Sequence, residues 1–306
     1  MKEPMRLSLI APLLVAALAP QGEAAPPPAP SANLDAVLWT QQSAEYEAAA
    51  RQAYTTARRQ IEVALADTSW TAAEEQASPF GHKPPAVILD VDETVLDNTG
   101  FQARLLRSGE YFSGKAWYAW CEEAVAPAVP GALEFCQWAD ARGVRVVFIT
   151  NRRTKVWEAT RQNLARLDFP LEPGATNLLT RDESSNKSPR RAKVAADHRV
   201  LLLVGDALGD FSESLGKHPA PERLAGVQAH STHWGERWIV VPNPMYGDWM
   251  RALFDYEYLD QVPARARKFR ALTKPPRPPL PTLPTTPPAE APPKPSSSSR
   301  SEAPNG

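Results

Sequence analysis

Four short runs constrain this chain more than any other feature. Ala86–Asp90, Val144–Thr150, Val200–Val204 and Trp238–Val241 are β-branched or leucine-rich and lack polar alternation. A strand with one wet face alternates polar and apolar residues. A strand without alternation is buried on both faces, as in a parallel sheet. Parallel strands need long crossovers, and intervening stretches such as Pro130–Arg142 and Thr154–Leu167 read as helices. The alternation predicts an α/β fold with an open parallel sheet, whose site lies at the carboxyl ends of the strands. Upstream, residues 33–66 contain no Gly or Pro. They place Leu38, Gln42, Tyr46, Ala49, Tyr54 and Ile61 near helical spacing, which predicts one long helix or a helix pair.

Proline marks the boundaries. Of 32 prolines in 306 residues, seven fall in residues 1–30 and twelve in 275–306. Residues 1–24 begin basic (Lys2, Arg6), carry an apolar run from Leu7 to Ala19 that includes Pro12, and end in small residues. A run of 13 residues is short of the ~20 a membrane-spanning helix needs, so a secretory signal peptide cleaved after Ala24 is expected. No cysteine lies near that point, so the expected product is secreted or periplasmic and carries no lipid anchor. Residues 25–32 read as a Pro-rich linker, 33–272 as the folded domain and 273–306 as a disordered tail. Polyproline II segments in that tail would serve as a spacer, as a docking peptide for an unknown partner, or for nothing.

Charge and cysteine count exclude several classes. The 34 basic residues nearly balance the 35 acidic ones, for a net charge of −1, so a nucleic-acid polymer is not an expected partner. Two cysteines cannot build a disulfide framework or a Cys-based zinc site. An oxidising compartment would nevertheless let Cys121 and Cys136 pair. His82, His198, His218, His230 and His233 form no metal-ligand pattern; His230-x-x-His233 reads as a surface turn.

The chemistry sits where the strands end. The first run leads into Asp90-Val-Asp92-Glu-Thr94, the second ends at Thr150-Asn151-Arg152, and Val200–Val204 leads into Gly205-Asp206-Ala-Leu-Gly-Asp210. Lys187 precedes the helix before that third run. Each piece alone has a structural explanation: Asp in a turn, Thr150 as a helix N-cap, Lys187 as a solvated lysine. Together they bring four acids, a hydroxyl and an amine to one crevice. Like charges ~4 Å apart repel by about 4 kcal/mol at an effective dielectric near 20. A divalent cation relieves that repulsion. An oxygen-only ligand set favours Mg²⁺ over Mn²⁺ or Ca²⁺. In an extended Asp-x-Asp segment both side chains share one side, so one carboxylate can attack phosphorus while the other handles the leaving group's proton.

With these motifs the chain resembles the haloacid dehalogenase superfamily of aspartate-nucleophile phosphohydrolases. More narrowly it is similar to the bacterial outer-membrane lipoprotein acid phosphatase and 5′-nucleotidase family (subfamily IIIB). The matching stretches are LWTQQSAEYEAAARQAY (38–54), AVILDVDETVLDNTGFQ (86–102), PGALEF (130–135), FITNRR (148–153), LLLVGDALGDF (201–211) and VPNPMYGDW (241–249). The resemblance implies a Rossmann-like sheet with a small helical cap. It implies Asp90 as nucleophile, Asp92 as acid and then base, and Thr150 and Lys187 as phosphoryl-binding groups. Mg²⁺ would be held by Asp90, the backbone carbonyl of Asp92 and Asp206, with Asp210 orienting metal-bound water or Lys187. Trp117 and Tyr246 would contact a nucleobase or aryl group; Phe101 and Trp120 are weaker candidates. The expected activity is Mg²⁺-dependent hydrolysis of small phosphate monoesters, including nucleoside 5′-monophosphates. The alternatives are a non-catalytic envelope binding protein on this fold and a phosphotransferase.

Overall fold

A computed structural model describes residues 33–257 and 261–272. The expected signal peptide, linker and Pro-rich tail lie outside the described residues. The 33–66 segment is a helix pair, α1 (Leu34–Gln42) and α2 (Ala44–Ala66). Ser43 divides them: its extended backbone interrupts the helix and its hydroxyl accepts from the Tyr46 N–H at 3.0 Å, capping α2.

The strands are β1 (Pro85–Leu89), β2 (Arg145–Arg153), β3 (Leu178–Arg181), β4 (Arg199–Gly205) and β5 (Trp238–Val240). They form one sheet in the order β3-β2-β1-β4-β5, and every pairing is parallel. Four of the five follow from the apolar runs. The fifth, β3, was invisible in the sequence because it is a four-residue edge strand with only Leu178 fully buried. The absence of polar alternation has a direct cause: successive side chains feed cores on opposite faces of the sheet. Val87, Leu89, Val146 and Phe148 pack on one face with Tyr54 and Phe135. Ile88, Val147, Ile149 and Leu203 pack on the other with Phe211 and Trp238.

The helices between strands are α3 (Thr99–Ser108), α4 (Gly114–Glu123), α5 (Ala132–Ala141), α6 (Trp157–Arg166), α7 (Ser188–Asp197) and α8 (Ala220–Ala229). A short α9 (Asp248–Arg251) and α10 (Gln261–Leu272) follow β5. Helices α3 and α4 are inserted between β1 and α5 and form the small helical cap. Gly100 lets α3 close on it, since a Cβ there would sit 2.8 Å from the Trp120 ring. Cys121 and Cys136 are buried free thiols rather than a disulfide, and burial pushes the Cys121 thiol up to about 12. Among the described residues no helix is long and apolar enough to cross a membrane.

One buried contact ties α2 to the loop after β1: the Tyr54 hydroxyl donates to the Thr94 carbonyl. Replacing Tyr54 with Phe leaves that buried acceptor unpaired. We expect a loss of about 1–3 kcal/mol of stability, read as a lower urea midpoint at unchanged m-value; an unchanged midpoint would refute the anchoring contribution.

Candidate active site

The strand order sets the position of the site. The chain runs β1, β2, β3 outward and then returns to place β4 on the other side of β1. At that reversal the connections leave in opposite directions, opening a crevice at the carboxyl ends of β1 and β4. Leu89 pairs with Val204 and with Phe148, so the residues that follow at that level of the sheet, Asp90, Thr150 and Asp206, converge. The Asp90 N–H donates to the Val204 carbonyl at 3.0 Å, which fixes the nucleophile candidate against β4.

Carboxylate oxygens of Asp90, Asp206 and Asp210 lie within 4.8 Å of one another. Lys187 Nζ bonds the Asp90 carboxylate and lies 2.6 Å from Asp210 Oδ1. The amine is only 4 % exposed and Asp90 8 %. Asp210 also accepts from the Ala207 N–H at 2.9 Å, and Asp206 from Asn243 Nδ2 at 2.8 Å. Gly205 makes this packing possible, because any Cβ there would overlap the Asp210 carboxylate. Arg191 holds the loop from below, with Nη1 3.2 and 3.0 Å from the Gly209 and Asp210 carbonyls and Nε 3.0 Å from Glu75. Arg190 joins the Lys187 loop to the end of β2, donating to the Thr150 carbonyl at 2.6 Å and to Asn151 Oδ1 at 2.9 Å.

Three carboxylates face one ammonium. Burial raises Asp90 to about 7 despite Lys187 beside it, and burial reinforced by Asp210 and Asp90 raises Asp206 well above the carboxylate range. Burial would lower Lys187, but Asp210 and Asp90 outweigh it and keep the amine charged. This oxygen-only set with surplus buried negative charge fits a hard divalent cation.

The Asp92 side chain is not part of the trio. It turns to the other side, where Oδ1 accepts from Asn98 Nδ2 at 3.0 Å and from Arg152 Nε at 2.9 Å. Thr150 Oγ1 lies 3.4 Å from Asp92 Oδ2 and accepts from the Arg152 N–H at 3.0 Å. Glu93 has a left-handed backbone (φ 59°), rare for a residue with a side chain, and is fully buried. Its carboxyl takes the Tyr246 hydroxyl at 2.6 Å and Asn98 Nδ2 at 3.1 Å. Burial, then Asp97, raises Glu93 to about 8.

Of the aromatic candidates, Trp117 is half-buried, edge-on to Phe101 at 5.2 Å and under the Arg152 guanidinium at 5.4 Å. Phe101 and Trp120 are core residues; the Trp120 indole donates to Asn98 Oδ1 at 2.8 Å and so supports the site from beneath. Tyr246 lines a cavity of about 380 Å³ with Asp206, Leu224, Val227 and Trp249. A larger cavity of about 520 Å³ lies at the amino end of the sheet, around Arg145 and Glu172, far from the acids. His230 and His233 pack on Trp238, at 5.2 and 4.5 Å between ring centroids, and neither joins the acidic group. The sequence reading missed Asn98, Arg152, Glu93, Arg190, Arg191 and Asn243. Arg152 had the clearest signal, as a charged residue two positions beyond the apolar run Val144–Thr150, and the structure places it within β2 as a buried residue.

Comparison with known proteins gives a consistent answer. Residues 19–249 match the acid phosphatases of haloacid dehalogenase subfamily IIIB. The class C acid phosphatase of Bacillus anthracis superposes with a TM-score of 0.70 at 33% identity, covering 79% of this chain and 97% of that one. Its tungstate-bound form gives 0.69, also at 33% identity and with the same coverage. Acid phosphatase 1 of Solanum lycopersicum is 25% identical over 163 residues, 52% of this chain and 57% of the relative. A 31 kDa stem glycoprotein of Glycine max is 25% identical over 170 residues, 54% and 60% of the two chains. The chain thus spans less than two thirds of these plant relatives.

The buried acids make cation binding and pH interdependent. Asp90 sits at about 7 in the folded protein against ~3.9 unfolded, so the metal-free fold holds protons that the unfolded chain releases. That contribution is complete below about pH 4 and is lost as pH rises through about 7. A divalent cation bound at these acids would replace those protons, so its stabilisation would grow with pH. We expect the gap between melting temperatures with and without Mg²⁺ to widen from pH 5 to pH 8. A constant or narrowing gap would exclude a cation at these acids.

Proposed function

The chain belongs to haloacid dehalogenase subfamily IIIB, the acid phosphatases, a family of phosphoric monoester hydrolases, and we propose that it hydrolyses small phosphate monoesters, nucleoside 5′-monophosphates among them, through a phosphoaspartate on Asp90. The observation that carries this reading is the divergence of the two acids of Asp90-Val-Asp92. One is clamped beside Lys187 in a buried acidic trio, and the other is turned to an open position beside it.

The phosphoryl group would lie between Lys187 and Thr150, with its ester oxygen toward Asp92. An Asp90 carboxylate oxygen forms the new bond to phosphorus as the ester P–O bond breaks. Asp92 gives its proton to the departing oxygen, then takes one from water. That water attacks the phosphorus of phosphoaspartate, releasing phosphate and restoring Asp90. Asp90, Asp206 and the Asp92 backbone carbonyl would hold Mg²⁺, which would supply charge neutralisation for an anionic ester approaching buried carboxylates. Asp210, bonded to Lys187 and to the Ala207 N–H, keeps the lysine in place. The Bacillus anthracis relative binds tungstate, a tetrahedral oxyanion of the phosphate type. The domain boundaries at 33 and 272 and export through the 1–24 segment belong to the same proposal.

Two substitutions test it. Asp90→Asn keeps the shape but cannot form an acyl phosphate, so turnover should fall by roughly 10⁴ or more in a protein that still folds. Rates near wild type would eliminate the nucleophile assignment. Trp117→Ala should raise KM for nucleoside monophosphates roughly 5- to 150-fold more than for small alkyl phosphates, the equivalent of ~1–3 kcal/mol of base stacking. Equal losses on both, with a large fall in melting temperature, would make Trp117 a packing residue.

A further inference from the structure

Asp92 has two oxygens, and the fold treats them differently. Arg152 Nε and Nη2 lie 2.9 and 2.8 Å from Oδ1, and Asn98 Nδ2 lies 3.0 Å from the same atom. Oδ2 has one contact, the Thr150 hydroxyl at 3.4 Å. A guanidinium has only donors, so it cannot accept a proton from the acid it holds. The Asn98 amide is equally committed. An indole N–H can only donate, and Trp120 Nε1 lies 2.8 Å from Asn98 Oδ1, so that atom is the carbonyl oxygen and the amide's N–H₂ end faces Asp92. With two N–H donors on Oδ1 and the rest of the guanidinium against it, both lone pairs of that oxygen are taken, and a proton on Asp92 has only Oδ2 to occupy.

Arg152 is itself fixed. It is 2 % exposed, Nη2 lies 3.2 Å from Asn98 Oδ1, Nη1 lies 3.3 Å from Thr160 Oγ1, and one face is covered by the Trp117 ring at 5.4 Å. A buried guanidinium with this many partners has almost no freedom, and neither does the carboxylate it grips. From this geometry we propose that Arg152 is the positioning residue for proton transfer: with Asn98 it saturates Asp92 Oδ1 and so makes Oδ2 the oxygen that carries the proton to the leaving group. This rests on the phosphatase reading above, in which Asp92 is the acid.

The inference has a kinetic signature. An alkoxide needs a proton as it departs; a p-nitrophenolate does not. Lysine preserves the charge of Arg152 but not its planar fork, so Arg152→Lys lets the Asp92 carboxylate rotate. Displacing a catalytic group by about 1 Å costs about 10²-fold. The quantity to measure is kcat/KM, which reports phosphoryl transfer and not the later hydrolysis of phosphoaspartate. We expect Arg152→Lys to lower kcat/KM about 10²-fold on a small alkyl phosphate and at most about a tenth as much on p-nitrophenyl phosphate. In an Asp92→Asn background the same change should add no further discrimination between the two esters. Thr160→Val, which removes one partner of the guanidinium and nearly conserves volume, should give the same pattern more weakly; it is the test should Arg152→Lys fail to fold. A merely structural Arg152 would reduce both substrates alike by reducing folded protein, and equal losses in the folded variants would overturn the proposal. Failure of the underlying reading looks different: the wild-type protein would turn over neither ester with Mg²⁺ present.

Discussion

The rest of the site follows from one electrostatic constraint: three carboxylates are buried against a single ammonium group. Asp90, Asp206 and Asp210 converge because β1 and β4 are neighbours in register and both end at the reversal of strand order. Lys187 answers two of them directly, which leaves surplus negative charge in a dry place. Dispersing the acids would remove the cost, but the fold does the opposite. Gly205 gives up its side chain so that Asp210 can approach, and Arg191 binds the carbonyls of the Asp210 loop. A protein that spends packing and hydrogen bonds on holding like charges together is arranged for a cation and for an anionic substrate that needs one.

The same constraint explains why the two acids of the Asp-x-Asp segment face different partners. In a regular strand they would lie on one side. Here β1 ends at Leu89, and the chain turns sharply through Glu93 in the left-handed region. Asp90 stays with the anionic trio while Asp92 meets Arg152 and Asn98. A carboxylate among other carboxylates, with an ammonium on it, would be placed to attack under the proposed reading. A carboxylate gripped on one oxygen and met only by the Thr150 hydroxyl on the other would be placed to move a proton. Two identical side chains two residues apart thus acquire different chemistry from what surrounds them.

Much of this was legible in the sequence because its signals are local. Four strands announced themselves through unbroken apolar runs, and the acids stood directly after them. Edge strand β3 did not, since four residues with one buried position carry no period. Arg152, Asn98 and Arg191 were also hidden, for a different reason. Their importance lies in partners far along the chain: Arg152 reaches back to Asp92, and Arg191 reaches Glu75. A buried arginine looks like any surface arginine until the fold supplies its carboxylate. The same gap affected Cys121 and Cys136, for which an oxidising compartment would permit a bond the fold does not make. Aromatic residues were half-legible. Trp117 and Trp120 are three residues apart on one helix, and only the tertiary structure shows one half-open and the other sealed beneath Asn98.

Under the proposed reading, the half-open ring would join two functions usually described separately. One face of Trp117 shields the Arg152 guanidinium, which fixes Asp92; the remaining surface is what a nucleobase or aryl group would meet. Substrate recognition and proton transfer would then share a single side chain. A ligand that pressed on Trp117 would also press on the clamp that orients the acid, so binding energy gained at the base could be expressed at the ester oxygen. That is the arrangement in which distant contacts raise kcat and not only affinity. It follows that truncating the ring cannot be a pure binding change: whatever it does to KM for nucleotides, part of its effect must reach every ester whose leaving group depends on Asp92.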